Sequence, residues 1–397
     1  MKMINRIKNK THNIFIDSKK KIYSNTFCLI RDPYTIFQDY YILKEENYEV
    51  VKLPDIYKVR RNACFEAFSK KISILEINNA TVFKGSDIVI TSKGAILEKL
   101  NDFNYSKNIM LDSNLVRNTK KGLEIYIPKE TVQITGRCIS LLGVFDTIWA
   151  HFEVQIFPRL IFADIADLLE DNISILVPKY TDNHIAITIN NYLKDKNVTI
   201  IEVENDTNYC CEKFYYIPLT AQYPNHTNYL LSSDCVIPKI TKDAIYKGLV
   251  HSADITNNNN IKEYDKIYLP RNENVGRTLL NGKSIENEFI KLGFKVIEPH
   301  KLSYDEKIFI FSNAKIIVGP YSAAFTNLYW CNNAKALIIS NLMRTSESYY
   351  EVPKVKSLWV TGEDEEPNNP HSSFYVPLNK ILSAYEYLLL EKDIEED

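Results

Sequence analysis

From Asp265 to Gly362, short apolar runs alternate with amphipathic stretches, and this rhythm constrains the fold more than any other feature of the chain. DKIYLP, KVIEP, KIIVG, ALIIS and SLWVTG read as strands, with SIENEFIKLGF, SYDEKIFIFSNA and SAAFTNLYW as helices between them. Strands this apolar, separated by helix-length segments, belong in a parallel sheet covered on both faces, so a doubly wound α/β unit is predicted. Two local signals agree with the helices. Gly293 stands where a C-cap belongs, and Ser303-x-x-Glu306 is a capping box, which gives Glu306 a structural role.

Upstream the pattern changes. Between Phe27 and about Lys129, runs such as VVKLP, KISIL, DIVITS and LEIYIP are spaced by turn residues and predict a β-rich N-terminal segment. From Ile148, apolar residues recur every three or four positions through IWAHFEVQIFPRLIFADIADLLE, and SILVP, HIAITINNYLKD, VTIIEV and KFYYIP follow in alternation. A second α/β lobe is expected there, and a chain of 397 residues, 45% of them apolar, can fill two cores. The Asn/Asp-rich stretch Ser252 to Tyr264, preceded by a predicted helix Ile240 to Val250, marks the junction. The expected division is 1–240, 241–376, and a C-terminal segment 377–397. That segment reads as a Leu/Tyr-rich helix packed back on the first lobe, ending in the acidic tail IEED.

Composition excludes several classes. A formal net charge of -2 provides no global field to gather a polyanion, so nucleic acid is not an expected partner. Seven scattered cysteines, with no Cys-x-x-Cys pair and no Cys/His cluster at zinc-ligand spacing, fit a reduced, cytoplasmic compartment. The first residues, MKMINRIKNKTHNIFIDSKKKIY, lack the apolar core of a signal peptide, and no run of about 18 apolar residues occurs elsewhere. The basic start reads either as a solvated terminus or as a peripheral contact with the anionic inner face of a membrane.

The segment KIIVGPYSAAFTNLYW carries the first chemistry. Ligands of open α/β sheets bind at the carboxyl ends of strands, where the next helix presents unpaired N–H groups. Gly319 ends the predicted strand, Pro320 turns the chain, and Ser322, Ala323 and Ala324 are small enough for a diphosphate to approach the backbone. Asn327 is placed to bond a ribose or sugar hydroxyl, and a ligand-free packing junction is the alternative. Arg271 and Arg277 follow DKIYLP and so share the sheet edge with Gly319, where guanidinium groups suit bidentate phosphate binding.

A polar row, His151, Gln155 and Arg159, runs at i, i+4 and i+8 beside the apolar stripe Phe152, Ile156 and Leu160. His151 can act as a general base, with Glu153 or Asp146 as alternatives, and a satisfied core histidine is the bland reading. No strand ends in Asp-x-Asp, so no metal is expected, and basic groups with helix dipoles would stabilise a leaving diphosphate. The aromatic stretch CCEKFYYIPLTAQYPNHTNYLL is either a strand with a surface loop or a stacking face for a sugar.

Together, HFEVQIFPRL, RNENVGRTLLNGKSIENEFIKLGF and GPYSAAFTNLYW resemble, in order and spacing, three blocks of the family 61 glycosyltransferases. By position, His151 matches the helix histidine, Arg271 and Arg277 the arginines, and Asn281 the asparagine that follows. Gly319, Pro320, Ala323, Thr326 and Asn327 match the loop. Tyr321 stands where the family has histidine, and Ser322 and Ala324 replace glycines. Gln155 replaces an aspartate, Gly282 a glutamate, and Ser340 a second glutamate, for which Glu347 is a substitute nearby.

The resemblance implies a GT-B fold, two Rossmann-like doubly wound lobes facing a cleft, with an acceptor-side lobe in 1–240 and a donor-binding lobe in 241–376. It implies an inverting, metal-independent hexosyl- or pentosyltransferase without a cofactor, using a nucleotide-sugar, with a UDP-sugar expected. The acceptor would be an oligosaccharide or glycolipid of a surface glycan such as capsule or lipopolysaccharide, met on the acceptor side by Gln155 and Arg159. Arg271, Arg277, Asn281, the loop with Tyr321 and Ser322, and Glu347 would bind the donor. The rival readings are a degenerate glycan- or nucleotide-binding homologue in a biosynthetic complex, and a nucleotide-sugar epimerase.

Overall fold

The computed structural model describes residues 22–391, apart from positions 31, 54, 70, 98–115, 120–121, 145, 181–182, 221–236, 253–263, 272–276, 343–350, 367–368 and 370–371. The basic start, nearly all of the Asn-rich stretch, most of the aromatic loop, Glu347 and the IEED tail lie outside the described residues.

The strands that position the site are β1 (Asp55–Ile56), β2 (Ile72–Phe83), β3 (Glu130–Ser140), β4 (Ile173–Pro178), β5 (Val198–Val203), β6 (Thr207–Tyr216), β7 (Lys266–Tyr268), β8 (Lys295–Val296), β9 (Ile316–Pro320), β10 (Ala334–Ser340) and β11 (Val355–Thr361). The helices are α1 (Phe157–Ile165), α2 (Asn183–Leu193), α3 (Lys239–Ser252), α4 (Gly282–Lys291), α5 (Tyr304–Asn313) and α6 (Leu378–Leu390).

The predicted βαβ rhythm becomes a six-stranded sheet in the order β8-β7-β9-β10-β11-β1, with every neighbouring pair parallel. Ile317, Val318, Leu337, Ile338, Ile339, Leu358, Trp359 and Val360 are all buried, as strands covered on both faces require. Five of the six strands follow the 2-1-3-4-5 order of a doubly wound sheet, and the order reverses between β7 and β9. The sixth, β1, comes from the β-rich N-terminal segment.

A second, nine-stranded sheet carries β5, β4, β3 and β6 in parallel. It then continues through β2, antiparallel to β6. The β-rich segment is thus an extension of the first α/β sheet. The result is a mixed α/β protein with several sheets.

The division expected near residue 240 is crossed by packing. One hydrophobic cluster contains Phe152, Phe157 and Leu160 from one side together with Ile317, Phe325 and Trp359 from the other. Helix α3, which follows the expected boundary, lies against α1 so closely that a Cβ at Gly248 would sit 2.5 Å from Ile161 Cδ1. The C-terminal helix α6 touches both parts of the chain. It lies on β10 and β11, because its buried stripe Ile381, Ala384, Tyr385 and Leu388 joins the cluster of Phe289, Phe294, Leu337 and Val360. It meets the N-terminal segment through Tyr57, Arg61 and their contacts with Tyr387 and Glu391.

The capping box forms as read: Ser303 Oγ accepts from Glu306 N at 3.3 Å and Glu306 Oε2 accepts from Ser303 N at 2.8 Å. Ser303→Ala is expected to lower stability by about 1 kcal/mol, read from the midpoint of chemical denaturation. Gly293 takes a φ of 86° just past α4, the left-handed cap expected of it. Among the described residues no helix is long and apolar enough to cross a membrane.

Candidate functional site

The site grows from the reversal between β7 and β9. Leu269 N donates to Val318 O at 2.8 Å, so the chain beyond β7 stays laced to β9 as both strands end. At Gly319 an added Cβ would lie 2.3 Å from Leu269 O. Glycine is therefore required by strand contact alone, whether or not a diphosphate also approaches. Two residues later, Tyr321 N donates to Ile339 O at 2.8 Å, which fixes the loop to β10.

Both predicted arginines converge on this loop. Arg271 Nη1 donates to Tyr321 O at 2.9 Å. The Arg277 guanidinium stands 5.2 Å over the Tyr321 ring, aimed by a left-handed backbone with φ 54°. Its buried Nε has no hydrogen-bond partner. Trp359 of β11 meets the same tyrosine ring at 5.5 Å between centroids, so Tyr321 is buried between a sheet residue and a cation. Position 321, where a histidine was expected, thus organises one of the two arginines through its ring and the other through its carbonyl.

The helix predicted after the loop is a 3-10 helix, Ala323–Trp330. Thr326 Oγ1 donates to Ala323 O at 3.0 Å and Asn327 Nδ2 to Ala324 O at 2.8 Å. Both bonds reach back three residues, which suits the tighter winding. Asn327 is consequently buried in the fold with its amide nitrogen committed to the backbone, while Ala323 is exposed at the mouth of the loop. Asn281 is likewise engaged, donating to Val376 O at 2.8 Å.

The polar row follows less regular geometry than its spacing predicts. Trp149–His151 is one α-helical turn, Phe152–Ile156 is wound as a π-helix, and α1 follows. The π segment inserts a residue and changes the phase of the helix, as such bulges do. His151 Nδ1 and Gln155 Oε1 are 2.8 Å apart. With that carbonyl as acceptor, Nδ1 carries the proton and the lone pair lies on Nε2, the tautomer a base needs. The Trp149–His151 turn packs against the 3-10 helix, so the histidine and the Gly319–Asn327 loop belong to one region.

Glu153 is fully buried, and neither carboxylate oxygen has a hydrogen-bond partner of ordinary geometry. Burial pushes its pKa up to about 8, with Thr326, Lys307 and Trp149 opposing the shift. Sealed from solvent, it cannot meet an acceptor hydroxyl in this conformation. It faces instead the buried Lys307 of α5, whose Nζ stands 4.2 Å from the Trp149 ring centroid. Asp146 and Arg159 form a separate group on the side of the nine-stranded sheet. Asp146 Oδ2 accepts from Gly143 N at 2.9 Å, and Arg159 Nη1 donates to Leu142 O at 3.0 Å. Burial raises Asp146 to about 7, with Asp87 adding to the rise and Lys84 and Arg159 opposing it.

A pocket opens beside the arginine loop, lined by Arg271, Thr278, Gly282, Lys283, Glu286 and Pro320. Lys283, Glu286 and Thr278 were not singled out from sequence. The helical spacing of Glu286, four residues after Gly282, was the available signal. Among the described residues, no group of three or more His, Cys, Asp or Glu side chains is arranged to hold a metal ion.

In a comparison with protein families, residues 149–338 fit the model described as Glycosyltransferase 61. That span opens on Trp149, two residues before His151, and ends in β10, so it takes in both arginines and the whole Gly319–Asn327 loop. A comparison with curated proteins gave no match.

Proposed function

Residues 149–338 form a glycosyltransferase family 61 domain, and on that premise we propose that the protein transfers a sugar from a nucleotide-sugar, preferably a UDP-sugar, to a surface glycan. The reading is GT-B: residues 1–240 take the acceptor, residues 241–376 take the donor, and the β1 and α3 crossings tie the two lobes together. The acceptor is an oligosaccharide or glycolipid, and the reaction runs at the cytoplasmic side, with or without peripheral contact to the membrane.

One observation carries the proposal: Arg271 and Arg277 meet at Tyr321, at the point where the strand order reverses. There the two guanidinium groups and the loop amides stabilise negative charge as the diphosphate departs, and the donor passes through an oxocarbenium-like state. His151 takes the proton of the acceptor hydroxyl, which attacks the opposite face and inverts the anomeric carbon. Cationic groups supply the charge stabilisation, so the mechanism proposed is metal-independent.

A thermal-shift panel of UDP, GDP, CMP and their sugars tests this. A ligand at 100 times its dissociation constant adds about 2.7 kcal/mol of stability. Arg277→Ala is expected to abolish that shift. His151→Ala is expected to keep it while lowering turnover by about 100-fold or more. Equal loss of binding in both variants would overturn the assigned roles. The burial of Tyr321 against Trp359 and Arg277 favours one alternative, a nucleotide-binding homologue without turnover. Binding with no sugar transfer in the unaltered protein would select it.

A further inference from the structure

The pocket next to the arginine loop contains a carboxylate whose position a surface ion pair does not explain. Glu286 and Lys283 are paired three residues apart on α4, yet the lysine side chain is 71% exposed and the glutamate 15%. The lysine stands at the exposed rim of the pocket and the carboxylate lies deeper in it. Below it lies Tyr268, fully buried, whose hydroxyl is pushed up by burial and by the nearby Glu286 charge. Gly282, one helical turn earlier, leaves room beside the carboxylate, since nothing but Leu279 comes within 4 Å of where its Cβ would be. Arg271 and Pro320 form the wall shared with the loop.

A carboxylate only accepts hydrogen bonds, so a ligand for Glu286 must offer donors there. Arg271 and Lys283 line the same pocket and call for an anion. A pair of neighbouring hydroxyls joined to a phosphate satisfies both demands. We propose that Glu286 seats the ribose diol of a nucleoside diphosphate, with Arg271 and Lys283 taking its phosphates. This deepens the donor reading above and rests on it. It places the ribose contact on α4, among residues that precede Gly319 in the chain.

Calorimetric titration of the full chain with UDP, GDP, ADP and CDP, each beside its 2′-deoxy form, tests the assignment. The best-bound ribonucleotide is expected to exceed its deoxy counterpart by about tenfold, the worth of one hydrogen bond to a charged group. Glu286→Gln and Glu286→Ala, with folding checked by circular dichroism, are expected to lower the ribonucleotide to the deoxy level and bring the ratio close to one. Lys283→Ala breaks the same ion pair, and is expected to weaken both forms alike and keep the ratio. If Glu286 variants retain the full ratio while Arg277→Ala still weakens binding, the diol assignment fails and the donor reading survives. If no nucleoside diphosphate binds the unaltered protein, both fall.

Discussion

Gly319→Ala is expected to destabilise the protein by about 3 kcal/mol or more and to remove nucleotide binding from whatever remains folded. The new Cβ would lie 2.3 Å from Leu269 O and 3.1 Å from Leu269 Cβ. The closest atom is backbone, so no rotamer change relieves the contact. β7 and β9 must part, and the 2.8 Å bond from Leu269 N to Val318 O is lost with them. Arg271 follows Leu269 by two residues, so the same shift pulls its guanidinium from Tyr321 O. Urea denaturation and nucleotide titration read the two consequences. An unchanged midpoint would mean that the strand ends yield freely, contrary to the close contact described.

The second large effect depends on pH. Glu153 ionises near 4.5 in an unfolded chain and near 8 in the folded one, because burial disfavours its charged form. Between those values the folded protein keeps a proton that the unfolded chain has released, so stability falls as pH rises from about 4.5 to about 8. At about 1.4 kcal/mol per unit, the loss is on the order of 5 kcal/mol. Glu153→Gln stays neutral throughout. It is expected to match the parent at pH about 4 and to exceed it by several kcal/mol above pH 8, measured by denaturation across that range. Asp146, raised to about 7, has the same sign over a lower window and is unchanged in both proteins, so the difference isolates Glu153. Parallel pH profiles would show that the carboxylate is solvated after all.

The α/β rhythm was legible because its cause is local. Apolar strands buried on both faces, the Ser303–Glu306 box and Gly293 each act through neighbours in sequence, and each stands where it was read. The convergence of Arg271 and Arg277 on the Gly319 loop was legible for a topological reason, since successive parallel strands expose their carboxyl ends at one edge.

What escaped was non-local or depended on winding. Spacing by four assumes an α-helix, and the π-helical Phe152–Ile156 changes the phase after His151. Arg159 therefore ends on Leu142 O, while the His151–Gln155 contact survives. Asn327 was read as ligand-facing on an α-helix, but winding on the 3-10 path commits its amide to Ala324 O. Glu153 was read as a candidate base because composition cannot report that the fold buries it completely, beside Lys307 and Thr326 from far along the chain. Pairing of β2 with β6, and the packing of α6 on β10 and β11, join segments far apart in the chain. No local pattern encodes such partners.

The edge strand β1 has a bearing on how the protein is made. Asp55 and Ile56 pair with Leu358 and Trp359, so the six-stranded sheet takes its last strand from the opposite end of the chain. During synthesis the ribosome releases residues 55–56 long before their partner emerges, and closing so large a loop is entropically slow. The nascent N-terminal segment must then wait with that strand unpaired until Leu358 and Trp359 emerge, and any graft of the six-stranded sheet into another protein would have to carry this short strand along.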